Sequence, residues 1–112
     1  MELINYKKVN IEVIDRDRSQ KKNTIEINTE DNLMEILKKS NYDMRATCGG
    51  MGLCADCHCE ILSGFNNLPA LTDQEYETLD TLPMISPKSR LACQIRAGIY
   101  LSNIKIRLIN LL

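Results

Sequence analysis

Cys48, Cys54 and Cys57 stand close together in the spacing Cys-x5-Cys-x2-Cys, and Cys93 follows far downstream inside Arg90-Leu91-Ala92-Cys93-Gln94. Thiolate sulfur is a soft ligand that suits iron, and two irons bridged by two sulfides need four protein sulfurs. A short loop can wrap one side of such a [2Fe–2S] cluster while a distant residue closes the other. Gly49, Gly50 and Gly52, between the first two cysteines, let the backbone bend so that amide N–H groups point at sulfur. Four thiolates bring the oxidised site to about −2 and one added electron to about −3, so such donors favour the reduced state. The chemistry these residues predict is one-electron transfer, with Cys48, Cys54, Cys57 and Cys93 as metal ligands.

Two other chemistries use the same residue type. A zinc site, which would make the chain a zinc-stabilised interaction domain without a redox role, usually pairs two Cys-x2-Cys knuckles. Only Cys54 and Cys57 have that spacing, and Cys93 stands alone. A dithiol redox site matches Cys54-Ala55-Asp56-Cys57, but such a motif normally follows a strand and opens a helix. This one leads into a strand.

At 112 residues the chain is long enough for one hydrophobic core, so one domain spanning 1–112 is expected. A single Phe and no Trp make that core mainly aliphatic. No apolar run approaches the roughly 18–20 residues of a membrane helix. Met1 to Lys8 has neither a signal-peptide apolar stretch nor a transit-peptide composition. A soluble, monomeric, cytoplasmic protein with no membrane partner is expected. Clustered cysteines in odd number, 5, argue against a disulfide framework. A net charge of −1 points to no nucleic-acid partner. No Ser/His/Asp set, paired-carboxylate site or phosphate loop is present, so an electron-transfer protein rather than an enzyme is expected.

The elements that must position the cysteines can be read from periodicity. Val9, Ile11 and Val13 alternate with polar residues over 8–14, a half-buried strand. The polar run from Asp15 to Asn23 reads as a turn, and Thr24 to Asn28 as the hairpin partner. Thr29 is the expected cap of a helix with an apolar stripe of Leu33, Ile36 and Leu37 and with Lys38 and Lys39 in its last turn. Cys57 to Leu62 reads as a strand ended by Ser63-Gly64. A second helix over Thr72 to Asp80 opens with the capping box Thr72-x-x-Glu75. Ile104, Ile106 and Leu108 mark a last strand. The succession suggests a small α+β roll.

The motif Cys-x5-Cys-x2-Cys-His, taken with Ser89-Arg90-Leu91-Ala92-Cys93-Gln94-Ile95, resembles the adrenodoxin-type [2Fe–2S] ferredoxins; the plant-type subgroup has four residues in the first gap, not five. The resemblance runs from about Lys7 to Arg107. It implies the β-grasp (ubiquitin-like roll) fold, one [2Fe–2S] cluster on the four cysteines, and electron shuttling from a ferredoxin reductase to an acceptor protein. The acceptor would be a cytochrome P450 monooxygenase or the iron–sulfur assembly machinery, and Cys57-His58-Cys59 is similar to ferredoxins of the latter kind. The resemblance also implies that His58 hydrogen-bonds the cluster loop to neighbouring structure and that Arg90 pairs with Glu75.

From Ile61 to Pro87 the sequence holds no Lys or Arg, while Asp73, Glu77 and Asp80 fall at i, i+4 and i+7 of the second helix, on one stripe. Like charges so spaced disfavour a helix by a few tenths of a kcal/mol. An acidic docking surface for a basic redox partner accounts for them, and the ferredoxin resemblance implies the same.

Overall fold

The computed structural model describes residues 7–27, 30–44, 57–82 and 84–109. Strands β1 (Lys7–Ile14) and β2 (Gln20–Ile27) form an antiparallel hairpin registered from Lys7 opposite Ile27 to Ile14 opposite Gln20. Val9, Ile11 and Val13 are buried, as alternation on a strand with one face against a core requires. The turn is shorter than its polar sequence suggests. It runs from Asp15 to Ser19, closed by Asp15 N–H to the Ser19 carbonyl and Arg18 N–H to the Asp15 carbonyl, both 2.8 Å. So β2 begins at Gln20 rather than Thr24. Its first residues Gln20, Lys21 and Lys22 are exposed because β2 is an edge strand. Pairing there depends on backbone alone, and lysines on an edge discourage association with another chain.

Helix α1 (Leu33–Lys39) is capped by Asn32, a correction to the cap expected at Thr29, which lies outside the described residues. Asn32 Oδ1 accepts the Glu35 N–H at 2.9 Å and Glu35 Oε1 accepts the Asn32 N–H at 3.1 Å. This reciprocal box satisfies two donors that a helix start leaves unpaired. Lys38 and Lys39 occupy the last turn, and Lys39 reaches back to Asp31 at 2.8 Å. Leu33, Ile36 and Leu37 are buried in one cluster with Ile11, Ile61, Ile104 and Ile106 of the sheet.

The chain continues through β3 (His58–Ser63), α2 (Asp73–Leu79), β4 (Ser89–Leu91) and β5 (Ile104–Leu108), with short 3₁₀ turns at Phe65–Asn67, Ala92–Gln94 and Ile99–Leu101. The sheet order is β2-β1-β5-β3-β4. The last strand therefore enters the middle, parallel to β1 and antiparallel to β3. This mixed sheet with α1 against it is the α+β β-grasp. β4 carries no signal in the sequence: three residues, all buried, give no alternation to read.

Gly64 ends β3 with φ of 90°, and a Cβ placed there would meet Ile104 Cγ2 at 2.9 Å. Both the left-handed backbone and the close approach of β5 exclude a side chain. Gly64→Ala is expected to lower the unfolding free energy by about 1–3 kcal/mol, read as a reduced urea midpoint with an unchanged slope.

Candidate metal centre

β3 and β4 pair antiparallel, with His58 opposite Leu91, Cys59 opposite Arg90 and Glu60 opposite Ser89. Just beyond the pairing, Ala92 N–H donates to the Cys57 carbonyl at 3.1 Å, and Cys93 N–H lies 3.4 Å from the Cys57 sulfur. Two cysteines 36 positions apart are thus neighbours through strand register. Both are buried. Hydrogen bonding with the Cys93 thiol, and then burial, push the Cys57 thiol far above its ordinary value. Two sulfurs so placed become thiolates together only against a cation, and soft sulfur donors suit iron. The pair therefore fits an iron–sulfur group. Cys48 and Cys54, with Gly49, Gly50 and Gly52, lie outside the described residues. Among the described residues no three His, Cys, Asp or Glu side chains converge as a metal-holding group.

Arg90 and Glu75 are both buried and meet in a fork. Arg90 Nε donates to Glu75 Oε2 at 2.7 Å and Nη2 to Oε1 at 3.0 Å. Oε2 also accepts the Leu91 N–H at 2.9 Å, while Arg90 Nη1 donates to the Pro69 carbonyl at 2.8 Å. A bidentate pair whose carboxylate takes a third donor and whose guanidinium takes a further acceptor is the arrangement in which buried charges can be held. The capping box expected at Thr72 is consequently only half made. Thr72 Oγ1 accepts the Glu75 N–H at 3.2 Å, but the carboxylate is drawn inward to the guanidinium, the stronger partner.

His58 is buried, with Nε2 2.8 Å from Ser89 Oγ, which also accepts the Ser86 N–H at 2.9 Å. The residue after Cys57 is thereby tied to the segment returning from α2. Burial lowers the proton affinity of the ring. Cys59 has no exposed surface, and burial pushes its thiol up to about 12, so it packs as a protonated apolar residue.

Two residues to which the sequence assigned no role make contacts here. Gln94 Nε2 donates to the Cys93 sulfur at 3.4 Å. Arg16, in a run that reads only as a polar turn, donates from Nη1 to the Asp43 carbonyl at 2.7 Å and from Nε to the Ile109 carbonyl at 3.4 Å. It ties the hairpin turn to the end of β5 and to the segment leading toward Cys48. Gln94 could have been singled out by its place beside Cys93; a lone Arg among polar residues offers no such signal.

Asp73, Glu77 and Asp80 are exposed, and α2 has no basic residue in its last turn. The helix thus divides its acids, Glu75 inward and Asp73 and Glu77 toward solvent, and Asp80, expected inside the helix, is its exposed C-cap. Among the described residues no helix is long and apolar enough to cross a membrane.

The 2Fe-2S iron-sulfur cluster binding domain family matches residues 16–98. The chain is 31% identical over 72 residues to the 2Fe-2S ferredoxin of Escherichia coli, covering 64% of this chain and 65% of that protein, just under two thirds of its length. It is 32% identical over 94 residues to the mitochondrial adrenodoxin homolog of Saccharomyces cerevisiae, covering 83% of this chain and 54% of that one. A crystal structure of ferredoxin from Rhodopseudomonas palustris superposes with a TM-score of 0.79 at 27% identity, covering 90% and 96% of the two chains. Putidaredoxin in its covalent complex with putidaredoxin reductase gives a TM-score of 0.75 at 25% identity, covering 88% and 96%.

Removing the charge from Glu75 while keeping its shape leaves Arg90 buried without a counterion. Glu75→Gln is expected to cost about 3–5 kcal/mol of stability, measured by urea unfolding; a loss below about 1 kcal/mol would show that the pair is not holding α2 to β4.

Proposed function

The chain belongs to the family of 2Fe-2S iron-sulfur cluster binding domains, and from that premise we propose that it is a one-electron carrier whose cluster is held by Cys48, Cys54, Cys57 and Cys93. The observation that carries the reading is the buried contact between Cys57 and Cys93 made by the β3–β4 register. When bound, the [2Fe–2S] group supplies reversible storage of one electron on thiolate-ligated iron. The protein's own contribution is to fix the sulfurs and their donors. Cys93 N–H points at the Cys57 sulfur and favours its negative charge. The Ala92 to Cys57 backbone bond and the Glu75–Arg90 fork hold β4, and with it Cys93, in place.

The carrier works between a ferredoxin reductase and an acceptor protein, a cytochrome P450 or an iron–sulfur assembly protein. Support for a reductase comes from the likeness to putidaredoxin, whose complex with its reductase is the solved structure above. Asp73, Glu77 and Asp80 present the acidic surface on which lysines and arginines of such partners dock. Charge complementarity of this kind speeds encounter without a long-lived complex, which suits a shuttle.

Anaerobic reconstitution with ferrous iron and sulfide is expected to give a brown protein with two irons and two sulfides per chain, bleached by dithionite. Cys93→Ala should lose most of both. A colourless, zinc-holding protein, or a Cys93→Ala variant with full sulfide content, overturns the reading.

Joint substitution of Asp73→Asn and Asp80→Asn should slow reduction of cytochrome c, a basic haem protein, by about tenfold at low ionic strength and flatten its salt dependence. Stopped-flow rates that match the parent at every salt concentration would remove α2 as the dock.

A further inference from the structure

We propose that the side chain of Gln94 sets the reduction potential of the site by donating an amide N–H to the Cys93 sulfur. The inference rests on the ligand assignment above and adds to it a tuning group from the side chains. Gln94 Nε2 lies 3.4 Å from Cys93 Sγ. A thiolate only accepts hydrogen bonds, so of the two ends of the carboxamide it is the NH₂ that must face it.

The donor hangs on backbone fixed from both sides. Gln94 closes the 3₁₀ turn Ala92–Gln94, with Ile95 N–H returning to the Ala92 carbonyl at 3.3 Å. Immediately after, the Ile95 carbonyl accepts the Leu33 N–H at 2.8 Å, and Ala97 N–H donates to the Asp31 carbonyl at 2.9 Å. The start of α1 therefore anchors the strand of chain from which the carboxamide extends. Cys93 is buried and Gln94 half-buried, so water competes poorly for the sulfur and the bond is stronger than it would be at the surface.

The donors described for the two proposed ligand sulfurs differ in kind. The Cys93 N–H at Cys57 belongs to the backbone, which no ordinary substitution removes; the Gln94 N–H at Cys93 belongs to a side chain, which a single substitution removes. Reduction adds one electron from an external one-electron donor and takes the site from about −2 to about −3. No covalent bond changes, and Gln94 neither gains nor loses a proton. A fixed N–H dipole interacts more favourably with the more negative state, so it raises the potential.

Spectroelectrochemical titration of the reconstituted wild-type protein against Gln94→Leu and Gln94→Glu tests this, with visible spectrum, iron and sulfide measured on each. Gln94→Leu should lower the equilibrium constant for reduction by roughly three- to tenfold, the upper end corresponding to about 59 mV for one electron. Gln94→Glu, which keeps the length of the side chain but puts an acceptor where the donor was, should lower it further. A merely structural role would change cluster content or spectrum and leave the potential of the loaded fraction alone. Wild-type potential in loaded Gln94→Leu overturns the inference; should that variant fail to hold iron, wild-type potential in Gln94→Glu does so. A wild-type chain that takes up no iron and sulfide is a different result, because it overturns the ligand assignment first.

Discussion

Glu75 is a carboxyl group with no access to solvent, and three donors converge on it: two nitrogens of the Arg90 guanidinium and the Leu91 amide. Glu75 belongs to α2, whose other acids face outward, while Arg90 and Leu91 make up most of β4, which ends just before Cys93. One fork therefore joins the proposed docking helix to the strand that delivers the distant cysteine. Desolvating both ions is expensive, and the geometry must be nearly complete to offset it. The pair specifies a single placement of α2 against β4 rather than adding much net stability.

The remainder of the centre follows from strand register. β3 and β4 are short, and neither would persist alone. Each is held by neighbours: β3 by β5 on one side and β4 on the other, β4 by β3 and Glu75. Their antiparallel pairing converts a long separation along the chain into contact between Cys57 and Cys93. His58, through Ser89 and Ser86, fastens the same region to the segment returning from α2. Cys57, Cys93 and the proposed docking helix are consequently joined through one corner of the sheet.

Much of this was legible in the residues themselves. Val9, Ile11 and Val13 announce β1; Ile104, Ile106 and Leu108 announce β5; Leu33, Ile36 and Leu37 announce the buried stripe of α1. In each, apolar spacing matches the period of the backbone it occupies. The failures have separate causes. The first half of β2 is polar because an edge strand needs only backbone partners. β4 is too short to have a period. The helix cap lies at Asn32 because the reciprocal bond with Glu35 decides the start, and several capping residues stand near one another there. Arg16 is illegible because its acceptors are backbone carbonyls at Asp43 and Ile109, which any residue provides.

What the sequence alone determined is the chemistry on offer: four cysteines in a spacing suited to bridged iron, an acid-only stretch without bases, and the periodicities of an α+β roll. These are properties of residue type and local order, which a linear chain states directly. Only the tertiary structure decided which groups meet. The placement of Cys93 N–H at the Cys57 sulfur and of Glu75 inside rather than at its cap both depend on contacts between segments far apart in the chain. Such contacts are chosen by the competition between burying charge, satisfying backbone donors and closing the sheet, and that competition is resolved only when the whole chain is folded.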